Sequence, residues 1–152
     1  MFTQNSATKF LDTVIEKPLL YAIKSPDTEL YDFGFGELIE VRNRLGNLKK
    51  KSTHTIHALC RIKVIPQNRT CDTGIYYEDT LCEIFHSDIT PLIGTKVKRV
   101  ALSDKNDLWL DLGDYWVVFI TFENGEESWR YFISGTDTPH LIASNLWLDF
   151  SD

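Results

Sequence analysis

The sequence predicts an α+β fold in which β structure dominates, built as two related four-stranded antiparallel meanders with two or three short helices. Three observations carry this expectation. Ala22-Ile23-Lys24-Ser25, Leu30-Tyr31-Asp32-Phe33-Gly34 and Leu59-Cys60-Arg61-Ile62 return in order as Val100-Ala101-Leu102-Ser103, Trp109-Leu110-Asp111-Leu112-Gly113 and Ser128-Trp129-Arg130-Tyr131. The second half alternates apolar and polar residues between tight connections, the period of half-buried strands. Aromatics make up 12% of the chain, which suits strands and a filled core. At 152 residues the chain reads as a single domain, 1–152, with an internal repeat over 19–65 and 97–134 joined by a linker, 66–96.

Each element has its own signal. Phe10, Leu11, Val14 and Ile15 form one apolar stripe, predicting a helix from Ser6 to Lys17 that Pro18 stops. Leu19 to Lys24 reads as a strand closed by the turn Ser25-Pro26-Asp27. Glu29–Phe33 and Glu37–Val41 follow around a Gly34-Phe35-Gly36 turn. A polar loop over Arg42 to Ser52 then leads to a long strand from Thr53 to Ile65. Glu78 to Phe85 is a short helix candidate that would bury Leu81, Ile84 and Phe85.

In the second copy, strands are expected over Lys96–Leu102, Asp107–Leu112, Tyr115–Phe122 and Glu127–Ile133. Asn124-Gly125 marks a type I′ hairpin. Tyr115 to Ile120 is apolar on both faces and must be central and covered on each side. Thr138-Pro139 offers a helix start, and Leu146 to Phe150 a last strand. The two sheets either face each other or join side by side.

Composition and charge narrow the function. The chain is 43% hydrophobic and 25% charged, and no apolar run approaches a membrane span. The start lacks the pattern of a signal peptide, so a cytoplasmic location is expected. Cys60, Cys71 and Cys82 show no CxxC spacing, which argues against a disulfide framework or a zinc site, and the Asn68-Arg69-Thr70 sequon is then without meaning. The net charge of −6 is uneven: from Ser103 onward ten acids face two basic residues. Such a surface repels nucleic acid and attracts a basic protein partner.

No catalytic signature is legible, and no cofactor or metal is expected. His54 and His57 lie three apart on a strand and point to opposite faces. Asp104-Lys105-Asn106-Asp107 lacks the regular alternation of acids and the closing Glu of a calcium loop. Cys60 and His57 also face opposite ways, while Cys82 and His86 have the i, i+4 spacing of a helical contact. Arg42, Arg44, Lys49, Lys50 and Lys51 form the one basic cluster, without interleaved aromatics for base stacking. Aligning Asp32 with Asp111 places an aspartate and a later arginine in each copy. Asp32–Arg61 and Asp111–Arg130 are therefore expected as register-fixing ion pairs.

Leu108 to Trp116, followed by Glu126-Glu127-Ser128-Trp129-Arg130, is similar to a pattern in small uncharacterised bacterial domains. Some of those domains neighbour secreted toxins as their immunity proteins. The resemblance covers about a third of the chain and implies a non-enzymatic protein that binds one toxin domain. Candidate contacts are Asp104, Asp107, Asp114, Glu123, Glu126 and Glu127, with Trp109 as an aromatic anchor. The alternatives are a small-ligand binder or enzyme with a polar site between the repeats, lined by Asp32, Arg61, Asp111 and Arg130, or a homodimer formed along a sheet edge.

Overall fold

Two antiparallel sheets face each other across one apolar core, and the chain is exchanged between them. The computed structural model describes residues 4–68 and 74–151. Among these, α1 (Gln4–Leu11) and a 3-10 turn (Asp12–Val14) precede β1 (Leu19–Lys24), β2 (Tyr31–Arg42), β3 (Leu48–Ala58), β4 (Arg61–Pro66) and β5 (Ile75–Tyr77). Then come α2 (Cys82–Ile89), a second 3-10 turn (Thr90–Leu92), β6 (Arg99–Leu102), β7 (Leu108–Asp111), β8 (Tyr115–Ile120), β9 (Trp129–Ile133), β10 (His140–Ala143) and β11 (Leu148–Ser151). Sheet I has the order β1-β2-β3-β9-β10-β11, and sheet II β5-β4-β8-β7-β6.

The expected four-stranded meanders are three-stranded. β1-β2-β3 and β6-β7-β8 are each antiparallel in sequence order. The strand after each one leaves its meander: β4 pairs with β8 and β9 pairs with β3. The β3–β4 connection is Leu59-Cys60, and neither residue suits the positive φ that a two-residue hairpin requires. The chain therefore passes to the opposite sheet. Between β8 and β9, Gly125 has φ +80 while Asn124 does not share a positive φ, so this segment is a crossover rather than a type I′ hairpin.

The helices are exchanged as well. α1 lies against β6 and α2 against β1. Between them Pro18 and Lys96 form an isolated bridge, flanked by Glu16 N–H on Val97 O (2.7 Å) and Leu19 N–H on Thr95 O (2.9 Å). Inward side chains of both sheets meet directly: the rings of Phe33 (β2) and Phe119 (β8) pack edge to face at 5.1 Å. Phe85 of α2 fits against Tyr31 and Tyr77, and Phe10 of α1 against Tyr131 and Phe150. Fully burying one such side chain contributes about 1.5–3 kcal/mol.

Several local expectations change. α1 is shorter than Ser6–Lys17 and tightens into the 3-10 turn, with Leu11 and Val14 buried. α2 begins at Cys82, so its buried residues are Phe85 and Ile89, while Leu81 and Ile84 stay exposed. The span 66–96 holds β5 and α2 rather than a plain linker. β2 runs straight through Gly34-Phe35-Gly36, where Gly36 (φ +94) sits in a bulge and a side chain would collide with Thr53. The loop expected over Arg42 to Ser52 is mostly strand, turning only at Asn43 to Asn47. The segment after Pro139 forms β10, not a helix.

β8 is central, as its apolar sequence demands, but no layer covers its outer side among the described residues. Trp116 shields that side together with Trp109 from β7. No described helix is long and apolar enough to cross a membrane.

Candidate functional site

Two regions gather chemistry, one at an end of the sandwich and one on the outer face of sheet I. The end is built from the 103–107 turn, the 121–128 crossover and the β10–β11 turn. Asp107 Oδ1 accepts from the Thr121 N–H (2.8 Å) and hydroxyl (2.9 Å), fixing the first to the second. Asn106, at φ +65, donates from Nδ2 to Ser144 O (2.9 Å), and its own carbonyl accepts the buried Trp129 Nε1–H (2.9 Å). Trp147 Nε1–H donates to Gly125 O (3.1 Å). On this frame Asp104, Glu123 and Glu126 are exposed, around Leu146 at 75% and Trp147 at 40% exposure.

The other predicted contacts lie elsewhere. Asp107 turns inward as the brace just described. Trp109 lies on the outer face of sheet II, edge-on to Trp116 at 5.6 Å. Asp114 sits in the β7–β8 turn, at the opposite end of those strands. Glu127 points to the outer face of sheet I. Leu146 and Trp147 alternate like strand residues, but they lie in the β10–β11 turn, which exposes them together.

Neither expected ion pair forms. Asp32 is in sheet I and Arg61 in sheet II; Asp111 is in sheet II and Arg130 in sheet I. The crossing of β4 and β9 separates them. Asp32 instead faces His57 Nε2 at 3.4 Å, and Arg61 stacks on the Tyr76 ring at 4.7 Å. Asp111 accepts from Arg99 Nε (2.7 Å), Gln67 (2.7 Å) and the Gly113 N–H (2.8 Å). Burial acts to raise its pKa, but these three donors prevail and hold the carboxyl below its usual range. Arg130 takes both oxygens of Glu127 (3.0 and 2.7 Å). Among the described residues these four side chains therefore do not meet in one pocket, and apolar side chains form the core between the sheets.

Asp32 and Arg130 do share a row, however. Ile23, Asp32, His57, Arg130, Ile142 and Asp149 are successive register partners across all of sheet I. In the next row Phe132 stacks on His140 (4.2 Å, 14°) and meets the His57 edge at 5.0 Å. Arg130 Nη1 lies 3.2 Å from His140 Nδ1. Burial lowers the His140 pKa, and the charge of Arg130 and neighbouring His57 add to this against the opposing Glu127. His140 is thus neutral at pH 7, with Nδ1 as acceptor and Nε2 carrying the proton.

Comparison with protein-family models, curated proteins and solved structures finds no match. The site is accordingly read from its own chemistry.

The remaining candidates are absorbed by structure. His54 stacks toward Tyr131 on the inner side of β3, opposite His57. Cys82 Sγ donates to Lys24 O (3.4 Å) and His86 Nε2 accepts the Lys24 N–H (3.1 Å), so both fasten α2 to β1. Burial pushes the Cys60 thiol up to about 12, which leaves no thiolate nucleophile at neutral pH. Cys71, Arg69 and Thr70 lie outside the described residues.

Proposed function

We propose that this chain is a non-enzymatic binding protein that engages a basic protein partner through its acidic end. The observation that carries the reading is the convergence of Asp104, Glu123 and Glu126 around exposed Leu146 and Trp147 on a hydrogen-bonded frame. An aromatic anchor inside a charged rim is the arrangement in which a few residues dominate affinity, while the rim sets association rate and salt dependence. A cytoplasmic bacterial immunity protein that neutralises a toxin domain is the specific form of this reading, and it rests on the resemblance described above.

The two helix-plus-meander segments are read as copies of one unit. Ala7/Phe85, Leu11/Ile89, Val14/Leu92, Leu19/Val97 and Phe33/Leu110 are buried pairs at corresponding positions, which supports this reading. Asp32 then matches Trp109 rather than Asp111.

The experiment is capture of basic proteins by the wild type and by two variants, Glu123→Lys/Glu126→Lys and Trp147→Ala, with contacts mapped by cross-linking. The expected result is a partner that cross-links at residues 123–147, is released by salt, and is weakened about tenfold or more by each variant. A partner held equally well by both variants, or cross-linked elsewhere, overturns the reading.

A further inference from the structure

We infer that the outer face of sheet I carries a second site, for a small aromatic anion of the size and charge of a nucleoside diphosphate. Beyond the Gly36 bulge, the β2–β3 hairpin borders the sheet and encloses a groove of about 560 Å³. That volume lies within the range of about 300–1,000 Å³ usual for small-ligand sites. Its floor is aromatic: the mutually stacked Phe132–His140 pair, with His57 edge-on to Phe132. Aromatic residues on the solvent side of a sheet, where polar ones belong, offer ring edges against which a planar ring can pack edge to face.

The wall supplies charge. Arg42 and Lys51 from the hairpin face the same groove as Arg130, against the single carboxylate of Glu127. Glu127 is occupied by Arg130 in a bidentate pair, so it does not offset the hairpin cations. Arg42 Nη1 donates to Gly46 O (2.7 Å), which orients the guanidinium, and Lys51 has no ion-pair partner among the described residues. This cationic lining stands out in a chain of net charge −6. On the opposite wall, hydroxyls of Thr136 and Thr138 and the Nε2–H of His140 can hold the polar edge of a ring or sugar.

The geometry thus separates an aromatic floor from a phosphate-attracting wall. A second hollow of about 490 Å³ continues past Phe132, sharing Lys51, His57 and Phe132 and adding Lys49, Lys50 and one carboxylate, Asp32. Three hairpin lysines against that one acid leave the path net cationic for a diphosphate tail.

Calorimetric titration with three probes tests the site: ADP, adenosine (ring alone) and pyrophosphate (charge alone). ADP is expected to bind more tightly than either half-probe. Arg42→Gln/Lys51→Gln should weaken ADP and pyrophosphate about tenfold and leave adenosine unchanged. Phe132→Leu should weaken ADP and adenosine about three- to tenfold and leave pyrophosphate unchanged. Glu123→Lys, at the acidic end, should leave all three unchanged, so failure here is separable from failure of the partner-binding reading. Urea unfolding confirms that each variant is folded. No saturable ADP binding, or ADP binding indifferent to both groove variants, overturns the proposal.

Discussion

The outer faces of the two sheets are built on similar strands but solve the problem of exposed surface in opposite ways. Sheet II consumes its own cations. Arg99 stacks on Trp116 at 5.1 Å, and Arg61 and Lys63 approach the Tyr76 ring at 4.7 and 4.6 Å. With Trp109 against Trp116, the side chains tile the face so tightly that Val118 is 2% exposed. Sheet I instead leaves a groove. Its hairpin lysines line the opening, with Glu127 held by Arg130 and Asp32 facing His57. The same residue types therefore stabilise the fold on one face and stand ready for a ligand on the other. The difference teaches that a cation's role here depends on whether an aromatic ring of its own sheet lies within reach.

The contrast has measurable consequences. The largest is expected for Trp116→Ala, which removes the ring that both Trp109 and Arg99 contact. Urea unfolding should show a loss of about 2–4 kcal/mol, against about 1 kcal/mol for Phe132→Ala on the open face. Equal losses would break the comparison.

Next comes Arg99→Ala, which deprives the buried Asp111 carboxylate of one donor while Gln67 and Gly113 remain. Arg99 is itself largely exposed, so about 1 kcal/mol is expected at pH 7. The Asp111 pKa is depressed on folding, so its contribution is present above the ordinary value of 3.8 and lost as the pH falls through the folded one. Variant and wild type should therefore converge in stability in strong acid. A gap that persists there would show that the guanidinium acts through stacking on Trp116 alone.

The smallest effect concerns the histidines. His140 and His54 both have pKa values lowered mainly by burial, so the unfolded chain binds protons more readily than the folded one below about the ordinary value of 6.5. Stability should decline as the pH falls through that value toward the folded ones. His140→Gln should flatten the slope in thermal melts at several pH values. An unchanged slope would place the whole effect on His54, on the inner side of the sheet.

Much of the fold was legible because strand signals are local. The alternation in Lys96 to Ile133 located β6 to β9 to within a few residues, and the apolar run at Tyr115 to Ile120 marked the central β8. The candidate sites were less legible. Leu146 and Trp147 alternate like a strand, and their exposure follows from a turn held by Ser144 and Gly125. His57 is far in sequence from Phe132 and His140 and meets them only because β3 and β9 are neighbours.

By itself, the sequence determined which residues of a strand share a face, since a period of two assigns each side chain a face whatever its strand pairs with. It also determined the uneven charge and the basic hairpin. Tertiary structure alone decided the partners. The local pattern sets Asp32 with Arg61 and Asp111 with Arg130, yet β4 and β9 each cross to the opposite sheet and part them. Strand pairing is a long-range choice, settled where the inner faces of both sheets close on one core, and no local pattern records it.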